Sequence, residues 1–447
     1  MLKIKEFIKN KDQLTLWMNN LLVVYAFMLP ISQTIKASVF TFIAILFVLR
    51  GDVLKYIKES LQNKVVRAFL YFFLITLLGV LWSDNVKEGL YWAKSVKYGL
   101  YLILFYAFID GRYIDKVLSA FILGMFVSEI TSYGILFGVL PYSLDIGVFH
   151  FYTAPSMHDP SAFLGHAHYG VALALVVPLI AQQIIYSNNN WAIKILMAFF
   201  VVTATANIFI TGGRSGYVSF ILLLIFLSFS YLKKYFLFLI MVIFLIITIA
   251  YNSSSMFHSK VYQTKYAIEQ VFFTDKPNFN TSLGSRLGTY YYSLELIKEN
   301  LLFGVGTGDS MDEIKKIAPK TCNVLQEQPH EHNQFLSTLI KVGLVGLVIF
   351  LNIYYQIFKY KQTDKELRFI MIVSTLVIAF GLLTSQFNIR FFMPLWVVML
   401  SITLISRDRK TIFFEFKDSL VFKQIFLIGA FFSTSSLIYQ SILVRIF

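Results

Sequence analysis

Three short groups of residues combine arginine, histidine and glycine in arrangements that could do chemistry. The first occupies residues 211–216 and reads Thr-Gly-Gly-Arg-Ser-Gly, a tight turn between two apolar segments. Backbone N–H groups at the start of the following helix, together with the guanidinium of Arg214, would form an anion site suited to phosphate. The alternative is a solvated turn whose arginine snorkels at the membrane boundary.

The second group places Arg286 in the first turn of a predicted helix, after Gly284 and Ser285. A cation at this position opposes the helix dipole. A bound anion or a carboxylate partner would offset that penalty, so Arg286 is a second candidate for binding phosphate. The alternative is a surface arginine on a loop.

The third group, 329–336, reads Pro-His-Glu-His-Asn-Gln-Phe-Leu and leads into an apolar helix. His330 and His332 are two residues apart and do not share a helix face, and no third ligand is near, so we predict no metal site. Histidine titrates near neutrality and could accept a proton from an attacking hydroxyl, with His332 as the base. Spacing alone does not separate His332 from His330, and the pair could instead cap the helix. We also predict that Asn333 contacts the substrate.

Other polar groups are weaker candidates for substrate binding. Lys94 and Lys97 lie three residues apart in an apolar stretch, where a charge is costly and often functional, although both could snorkel to headgroups. His168 enters a later helix beside His166 and Tyr169, after a loop that contains His158 and Asp159.

The elements that position these residues must lie in a membrane. Of the 447 residues, 57% are hydrophobic and 14% are charged, which excludes a soluble enzyme with a single anchor. Long runs are apolar on every face, unlike the alternating segments of an outer-membrane barrel. The single cysteine, Cys322, permits no internal disulfide. A net charge of +14 is better explained by topology than by nucleic-acid binding.

The fold class predicted is therefore an all-α polytopic membrane protein with about twelve transmembrane helices, since each crossing needs roughly 20 apolar residues. A thirteenth segment, 424–443, could span the membrane or lie in its interface. The predicted spans are 17–33, 37–49, 68–82, 89–108, 117–139, 169–186, 193–210, 216–232, 235–251, 334–357, 369–386 and 391–405.

Basic residues in the short loops predict the orientation. One alternating set of loops holds 23 Lys and Arg and the opposite set holds four, so the positive-inside rule places the N-terminus in the cytoplasm. The long segment 252–333 then lies on the opposite side, with eight basic and nine acidic residues.

We divide the chain into a transmembrane bundle (1–251), a catalytic loop (252–333) and C-terminal helices (334–447). Within the loop, residues 285–302 carry Leu287, Tyr291, Leu294, Ile297 and Leu301 at the spacing of an amphipathic helix. The glycines of 304–308 would end that helix, and we expect the loop to fold as a cap over the bundle.

In this order, the motifs resemble the O-antigen ligase and O-antigen polymerase superfamily. The resemblance rests on Gly-Gly-Arg-Ser-Gly, then Ser-Arg with the downstream 299–308, then the His332 motif running into Gly343-Leu-Val-Gly-Leu. The motifs cover residues from about 200 to 350, and the rest of the chain resembles the family only in its predicted membrane topology. The chain departs from the family pattern at Lys341, where members tend to carry an acidic residue.

The resemblance implies a glycosyltransferase of the bacterial inner membrane whose active site faces the periplasm. Arg214 and Arg286 would hold the diphosphate of an undecaprenyl-diphosphate-linked glycan donor, and His332 would act as the base or position the acceptor. No cofactor or metal is implied, and the partners are the donor, a lipid A-core acceptor and membrane lipids.

We favour a ligase that transfers polysaccharide to lipid A-core, metal-independent and inverting. The alternatives are an O-antigen polymerase or a protein O-oligosaccharyltransferase of the same superfamily, which need the same site. A transporter of lipid-linked glycan is a different class; it predicts charges along a path at mid-membrane, which most of these spans lack.

Overall fold

The computed structural model describes residues 10–146, 149–187, 189–231, 233–274, 277–387 and 391–406, and these residues form a bundle of helices joined by loops and one short hairpin. Its α-helices are α1 (Lys11–Met28), α2 (Gln33–Leu49), α3 (Val53–Ser60), α4 (Lys64–Leu78), α5 (Val86–Val96), α6 (Tyr101–Phe108), α7 (Ile114–Leu136), α8 (His166–Tyr186), α9 (Trp191–Ile210), α10 (Arg214–Tyr231), α11 (Phe236–Ser253), α12 (Ser255–Phe272), α13 (Gly284–Glu299), α14 (Ser310–Ile317), α15 (Asn323–Gln326), α16 (Gln334–Lys359), α17 (Lys365–Gly381) and α18 (Phe392–Thr403).

Polar residues in the short connections start many of these helices. The side chain of Ser32 accepts a hydrogen bond from the amide of Ile35 at the start of α2, and Asn190 caps α9 by accepting from the amide of Ile193. Such caps satisfy amides that have no partner within the helix.

Two helices form the centre of the bundle. Every residue of α18 is buried, including Trp396, whose ring packs on Tyr354. Helix α8 is buried over most of its length and crosses α10 where Gly170 meets Gly216; a Cβ added to Gly216 would lie 2.6 Å from the Gly170 Cα. Small residues permit this close backbone approach between helices in a membrane.

Fewer helices than predicted meet the requirements for a membrane crossing. Six helical segments of the described chain are long and apolar enough, and the pair α2 and α3, bent by 112°, would make a seventh. The six segments are Gly111–Leu136, His166–Tyr186, Trp191–Ile210, Arg214–Tyr231, Lys233–Ser253 and Gln334–Lys359.

The structure therefore supports a multi-pass helical membrane protein and does not confirm twelve spans. The other predicted spans correspond to helices that are shorter, less apolar or interrupted. The predicted fourth span, for example, is divided into α5, a 3-10 turn over Lys97–Leu100 and α6. The thirteenth candidate, 424–443, lies outside the described residues.

Helices α12 to α15 occupy most of the described part of 252–333 and build a small core of their own. This core includes Phe279, Leu296, Ile314 and Leu325, and it packs on Ile340 of α16. The segment thus has its own hydrophobic contacts next to the larger bundle.

The helix predicted over 285–302 is present as α13, and Leu287 and Ile297 of the predicted apolar set pack on the small core of 252–333. Ser285, Thr289 and Ser293 are buried, whereas Tyr291 and Leu294 are more than half exposed. The apolar spacing therefore predicted part of the packed surface of α13, and the small side chains, which that pattern does not include, supply the rest.

A second departure from the prediction is a small antiparallel hairpin in an otherwise helical chain. Strand β1 (Ser143–Ile146) pairs with β2 (Phe149–Thr153), with Ser143 opposite Thr153. Tyr152 packs on Phe163 in a small cluster, which joins the hairpin to the segment that precedes α8.

Helix α16 is broken at Val342 and Gly343, where Gly343 has a φ of +67°. The loop after α13 satisfies backbone groups at the break: the Val305 amide donates to Ile340 O at 2.9 Å, and the Leu344 amide donates to Leu301 O at 2.8 Å. Helix α13 ends at Glu299 with Asn300 as its C-cap, before the glycines predicted to end it, and the loop 301–306 is hydrogen-bonded to α16 at its break.

Candidate functional site

The glycine-rich turn between α9 and α10 holds Arg214 at the first residue of α10. The amide of Gly212 donates to Asp159 Oδ1 at 2.9 Å, and a Cβ on Gly213 would lie 2.2 Å from the carbonyl oxygen of His166. Neither glycine has room for a side chain, so the turn is fixed by its packing. The predicted tight turn is present.

The Arg214 side chain is half-buried beside α12 and α13 rather than extended into solvent. Its two terminal nitrogens make long hydrogen bonds to Gln263 Oε1 (3.3 Å) and Ser282 Oγ (3.5 Å). The buried Nε has no hydrogen-bond partner within the described residues. This donor capacity remains for a ligand.

Arg286, in the first turn of α13, and Lys260 of α12 lie close enough to Arg214 for their charges to interact. Burial lowers the pKa of Lys260, and the charge of Arg214 lowers it further. Burial also lowers the pKa of the Arg286 guanidinium. Three cations from three helices therefore converge, at an electrostatic cost that a bound anion would relieve.

The cation cluster, defined as Arg214, Lys260 and Arg286, has one carboxylate near it, because the charge of Asp159 raises the pKa of Lys260. In the described segments, none of the three forms an ion pair with Asp or Glu. Arginine binds phosphate oxygens through two N–H groups at once, and the added lysine supplies a point charge. The cluster suits a polyanionic group such as a diphosphate.

His332 lies at the end of the loop before α16, in the left-handed backbone region with a φ of +56°. Its Nε2 is 2.8 Å from Gln328 Oε1, and the Gln328 amide nitrogen donates to Ser285 Oγ at 2.9 Å. Because an amide oxygen only accepts, Nε2 carries the proton and Nδ1 is left as an acceptor. This chain of hydrogen bonds connects His332 to the residue preceding Arg286.

Burial and the neighbouring charges keep both histidines neutral. Burial, followed by His330 and Arg286, lowers the pKa of His332 to about 3. Burial likewise lowers the pKa of His330, whose ring lies 4.0 Å from that of His332, centroid to centroid. A neutral His332 can accept a hydrogen bond from a hydroxyl throughout the physiological pH range.

Between the two histidines, Glu331 is fully buried and paired with Lys341 at the break in α16. Their Oε2 and Nζ atoms are 3.4 Å apart, Gln386 also donates to Glu331, and Lys341 Nζ lies 3.6 Å from the Trp92 ring centroid. Burial alone would raise the pKa of Glu331, but Lys341 and the hydrogen bonds hold it well below its ordinary value. Lys341, the residue at which the chain departs from the family pattern, is therefore neutralised by Glu331.

A cavity of about 470 Å³ opens beside Arg214 between α10 and α12. Polar groups of Arg214 and Lys260 lie at this cavity, while Phe257, Val261 and Ile268 supply apolar walls. We call it the α10–α12 groove. Its place could not be read from the sequence, because its walls come from two separate helices.

Two further predicted site residues, Asn333 and His168, make contacts within the helical bundle. Asn333 Oδ1 accepts from the amides of Phe335 and Leu336, so this atom caps α16. His168 is buried against the rings of Phe391 and Phe392.

Lys94 and Lys97, the two lysines of the predicted fourth span, do not lie on the helices that form the cation cluster. Lys94 is exposed on α5, and Lys97 begins the 3-10 turn that follows. That turn packs against α4 and α18, whereas the cation cluster is built from α10, α12 and α13.

Sequence reasoning missed Lys260 and the parts played by Glu331 and Asp159. Lys260 belongs to none of the three motifs and is far from both Arg214 and Arg286 along the chain. Because the cluster forms through the packing of α10, α12 and α13, no local pattern marks this lysine. The segment 252–333 holds eight basic and nine acidic residues, so the charge of one lysine does not single out Lys260.

Comparisons with known proteins agree with the motif assignment. Residues 199–351 match a family model described as O-antigen ligase. This segment contains the three motifs, and the match confirms the resemblance to the O-antigen ligase superfamily. An uncharacterized protein of Haemophilus influenzae is 29% identical over 167 residues, covering 33% of this chain and 38% of the relative. The chain thus aligns with well under half of that relative.

Proposed function

We propose that the protein is an O-antigen ligase that transfers a polysaccharide from undecaprenyl diphosphate to a hydroxyl of lipid A-core at the periplasmic face of the inner membrane. The match of 199–351 to the O-antigen ligase family supports the superfamily and a glycosyltransferase-like activity on lipid-linked glycans. The observation that carries the proposal is the convergence of Arg214, Arg286 and Lys260 without ion-pair partners in the described chain.

The cation cluster acts on the leaving group. When the bond from the anomeric carbon to the diphosphate breaks, negative charge builds on the diphosphate oxygens. Fixed guanidinium groups interact more strongly with that charge than with the ground state, and only such a difference accelerates the step. Three protein cations supply the positive charge, so the proposed reaction needs no metal ion.

The α10–α12 groove is suited to the hydrocarbon part of the donor. A polyprenyl chain must enter from the side, and apolar walls at Phe257, Val261 and Ile268 adjoin the cations that would hold its diphosphate. We assign the groove to the first isoprene units of the carrier.

His332 is assigned to the acceptor hydroxyl. Its Nδ1 is available as an acceptor because Nε2 is bonded to Gln328. A hydroxyl held there would attack the anomeric carbon directly and pass its proton to Nδ1, while the diphosphate departs with the electron pair of the broken C–O bond. One displacement of this kind inverts the anomeric configuration and needs no nucleophile from the enzyme.

Genetic replacement in the host tests the proposal and separates it from its alternatives. The gene is deleted and complemented with wild type, Arg214→Ala, Arg286→Ala or His332→Ala, with Arg368→Ala as a matched control on the exposed start of α17. Lipopolysaccharide is resolved by gel alongside the undecaprenyl-linked pool. A ligase predicts that long chains vanish from lipid A-core while full-length polymer accumulates on the carrier.

Other outcomes contradict the ligase assignment in distinct ways. Single repeat units remaining on the core would indicate a polymerase, and loss of a glycoprotein with unchanged lipopolysaccharide would indicate protein glycosylation. Full activity of all three site variants would reject the site itself.

A further inference from the structure

A chain of hydrogen bonds runs from the His332 ring to the backbone at the start of α13. Gln328 Oε1 lies 2.8 Å from His332 Nε2. Gln328 Nε2 donates to Ser285 Oγ at 2.9 Å, and Ser285 Oγ in turn donates to the backbone carbonyl of Ser282 at 3.3 Å. Ser285 lies in the first turn of α13 and Ser282 precedes the helix. The chain therefore connects the candidate base to the start of the helix that carries Arg286.

The backbone carbonyl at the end of this chain fixes the direction of every hydrogen bond in it. A carbonyl oxygen has no proton to donate, and Ser285 is 0% exposed, so its hydroxyl proton is directed to the Ser282 oxygen rather than to water. Ser285 Oγ can then only accept from Gln328, which turns the amide NH2 group toward Ser285 and the amide oxygen toward His332. The order of donors therefore ends with a proton on Nε2 of His332.

The opposite orientation of the amide would remove the base. If Gln328 presented its NH2 group to His332, Nε2 would accept, and the single proton of the neutral ring would lie on Nδ1. Nδ1 would then have no lone pair for the acceptor hydroxyl. Within the described chain, the hydrogen bond to Gln328 is the only one that the His332 ring makes, so this bond selects the tautomer.

The same chain reaches the residues assigned to the donor. Ser282 accepts from Ser285 through its carbonyl, and its own hydroxyl oxygen accepts from Arg214 Nη1 at 3.5 Å. Arg286 directly follows Ser285, and its charge acts on the His332 ring. The residues that select the tautomer of the base thus lie beside both arginines.

We propose that Ser285 and Gln328 are positioning residues that hold His332 in the tautomer with a free Nδ1. The inference rests on the proposed function, in which that nitrogen takes the proton of the acceptor hydroxyl. Neither positioning residue receives this proton. The Nε2–H group donates to the Gln328 oxygen both before and after Nδ1 is protonated, so the chain fixes the ring without exchanging protons.

Solid-state nitrogen-15 NMR of the full-length protein with labelled histidine reads the tautomer without an activity assay. The His332 signals are assigned by their loss in His332→Gln, and we expect an unprotonated Nδ1 and a protonated Nε2 in wild type at pH 8. Ser285→Ala frees the Gln328 amide to turn, so a signal from protonated Nδ1 should appear. Ser293→Ala removes another buried hydroxyl, about two turns further along α13, and should leave the wild-type spectrum.

Kinetics with an undecaprenyl-diphosphate-linked glycan and lipid A-core separate positioning from folding. Gln328→Met removes the acceptor for Nε2–H, and we expect kcat to fall about 10–100-fold, as when the partner that orients a metal-ligating histidine is lost, with an unchanged donor KM. Gln328→Glu should keep most of the wild-type kcat at pH 8, because a carboxylate also accepts from Nε2–H. Gln326→Met removes hydrogen bonds to the Lys315 and Ala318 carbonyls; as the control, it should lower stability but not kcat.

Combining the variants distinguishes selection of the tautomer from a general disturbance of α13. Ser285→Ala alone should lower kcat by a smaller factor than Gln328→Met, since part of the protein keeps the correct tautomer. In the Gln328→Glu background, Ser285→Ala should cause no further loss, because a carboxylate has no NH2 group to turn toward His332. An equal loss in both backgrounds, or a wild-type ring with its proton on Nδ1, would overturn the proposal. A wild-type protein that transfers no glycan would overturn the proposed function instead, while the NMR spectrum would still decide whether the chain selects the tautomer.

Discussion

Glu331 and Lys341 form a buried ion pair, with 3.4 Å between Oε2 and Nζ, that connects the histidine motif to the break in α16. Glu331 lies between His330 and His332, and Lys341 immediately precedes the two non-helical residues of α16. The pair therefore couples the position of both histidines to the loop that bonds to the broken helix.

Removing one member of this pair should be costly. Glu331→Gln leaves the Lys341 ammonium buried, and we expect a loss of about 3–5 kcal/mol in the free energy of unfolding. The double variant Glu331→Gln/Lys341→Met removes both charges and should recover much of that loss. Thermal unfolding of the purified protein measures both, and equal destabilisation by single and double variants would show that the charges are uncoupled.

The same pair predicts a dependence of stability on pH. The folded-state pKa of Glu331 lies below its ordinary value, at about 2. Its contribution is therefore complete above the unfolded pKa near 4.5 and is lost as the pH falls from there toward 2. The double variant should lack this part of the acid destabilisation, whereas an unchanged acid profile would contradict the assignment.

Gly343 should not tolerate a side chain. It has a φ of +67°, and a Cβ would lie 2.2 Å from Leu302 O. Gly343→Ala therefore combines backbone strain of about 1–3 kcal/mol with a steric clash. Gly51→Ala is the matched control, since Gly51 has a φ of +80° with nothing within 4 Å of the added Cβ. Unfolding measurements should show a clearly larger loss at Gly343, and equal losses would reject the steric argument.

Lys260 should contribute to donor binding through its charge. We expect Lys260→Ala to raise the KM for the donor and Lys260→Arg to retain much of the wild-type value. Lys298→Ala, at an exposed position in the last turn of α13, should leave KM unchanged. Identical donor KM values for the two alanine variants would exclude Lys260 from the site.

Filling the α10–α12 groove should weaken binding of the lipid carrier. Val261→Trp places a large ring in the groove, and we expect a higher KM for a long-chain donor than for one with a short prenyl chain. Tyr262→Trp, on the neighbouring and 65% exposed position, serves as the control. A change that is independent of prenyl length would argue that the groove does not hold the chain.

The sequence predicted the residues that carry local signatures. Arg214 follows two glycines that permit a tight turn, and His332 lies in a run that leads into a helix, so both could be identified as candidates by inspection. Helices were predicted well where apolar runs are long, as in α8 and α16, because burial in lipid or in the bundle makes the whole helix apolar.

What the sequence could not supply depends on packing between distant segments. Lys260 joins the cluster only because α12 folds against the start of α10, and Asp159 reaches Gly212 across 53 residues. The apolar spacing of α13 did not indicate that Ser285 and Thr289 are buried, because a hydropathy pattern does not mark small polar side chains. Tertiary contacts, not local periodicity, decide these cases.

Binding of undecaprenyl diphosphate to the reconstituted protein tests the central claim most directly. The affinities for undecaprenyl diphosphate and undecaprenyl monophosphate are measured for wild type, Arg286→Ala and the control Arg368→Ala. We predict that wild type and Arg368→Ala prefer the diphosphate and that Arg286→Ala loses this preference. Equal preference for the diphosphate in all three proteins would contradict the assignment of the cation cluster to the diphosphate.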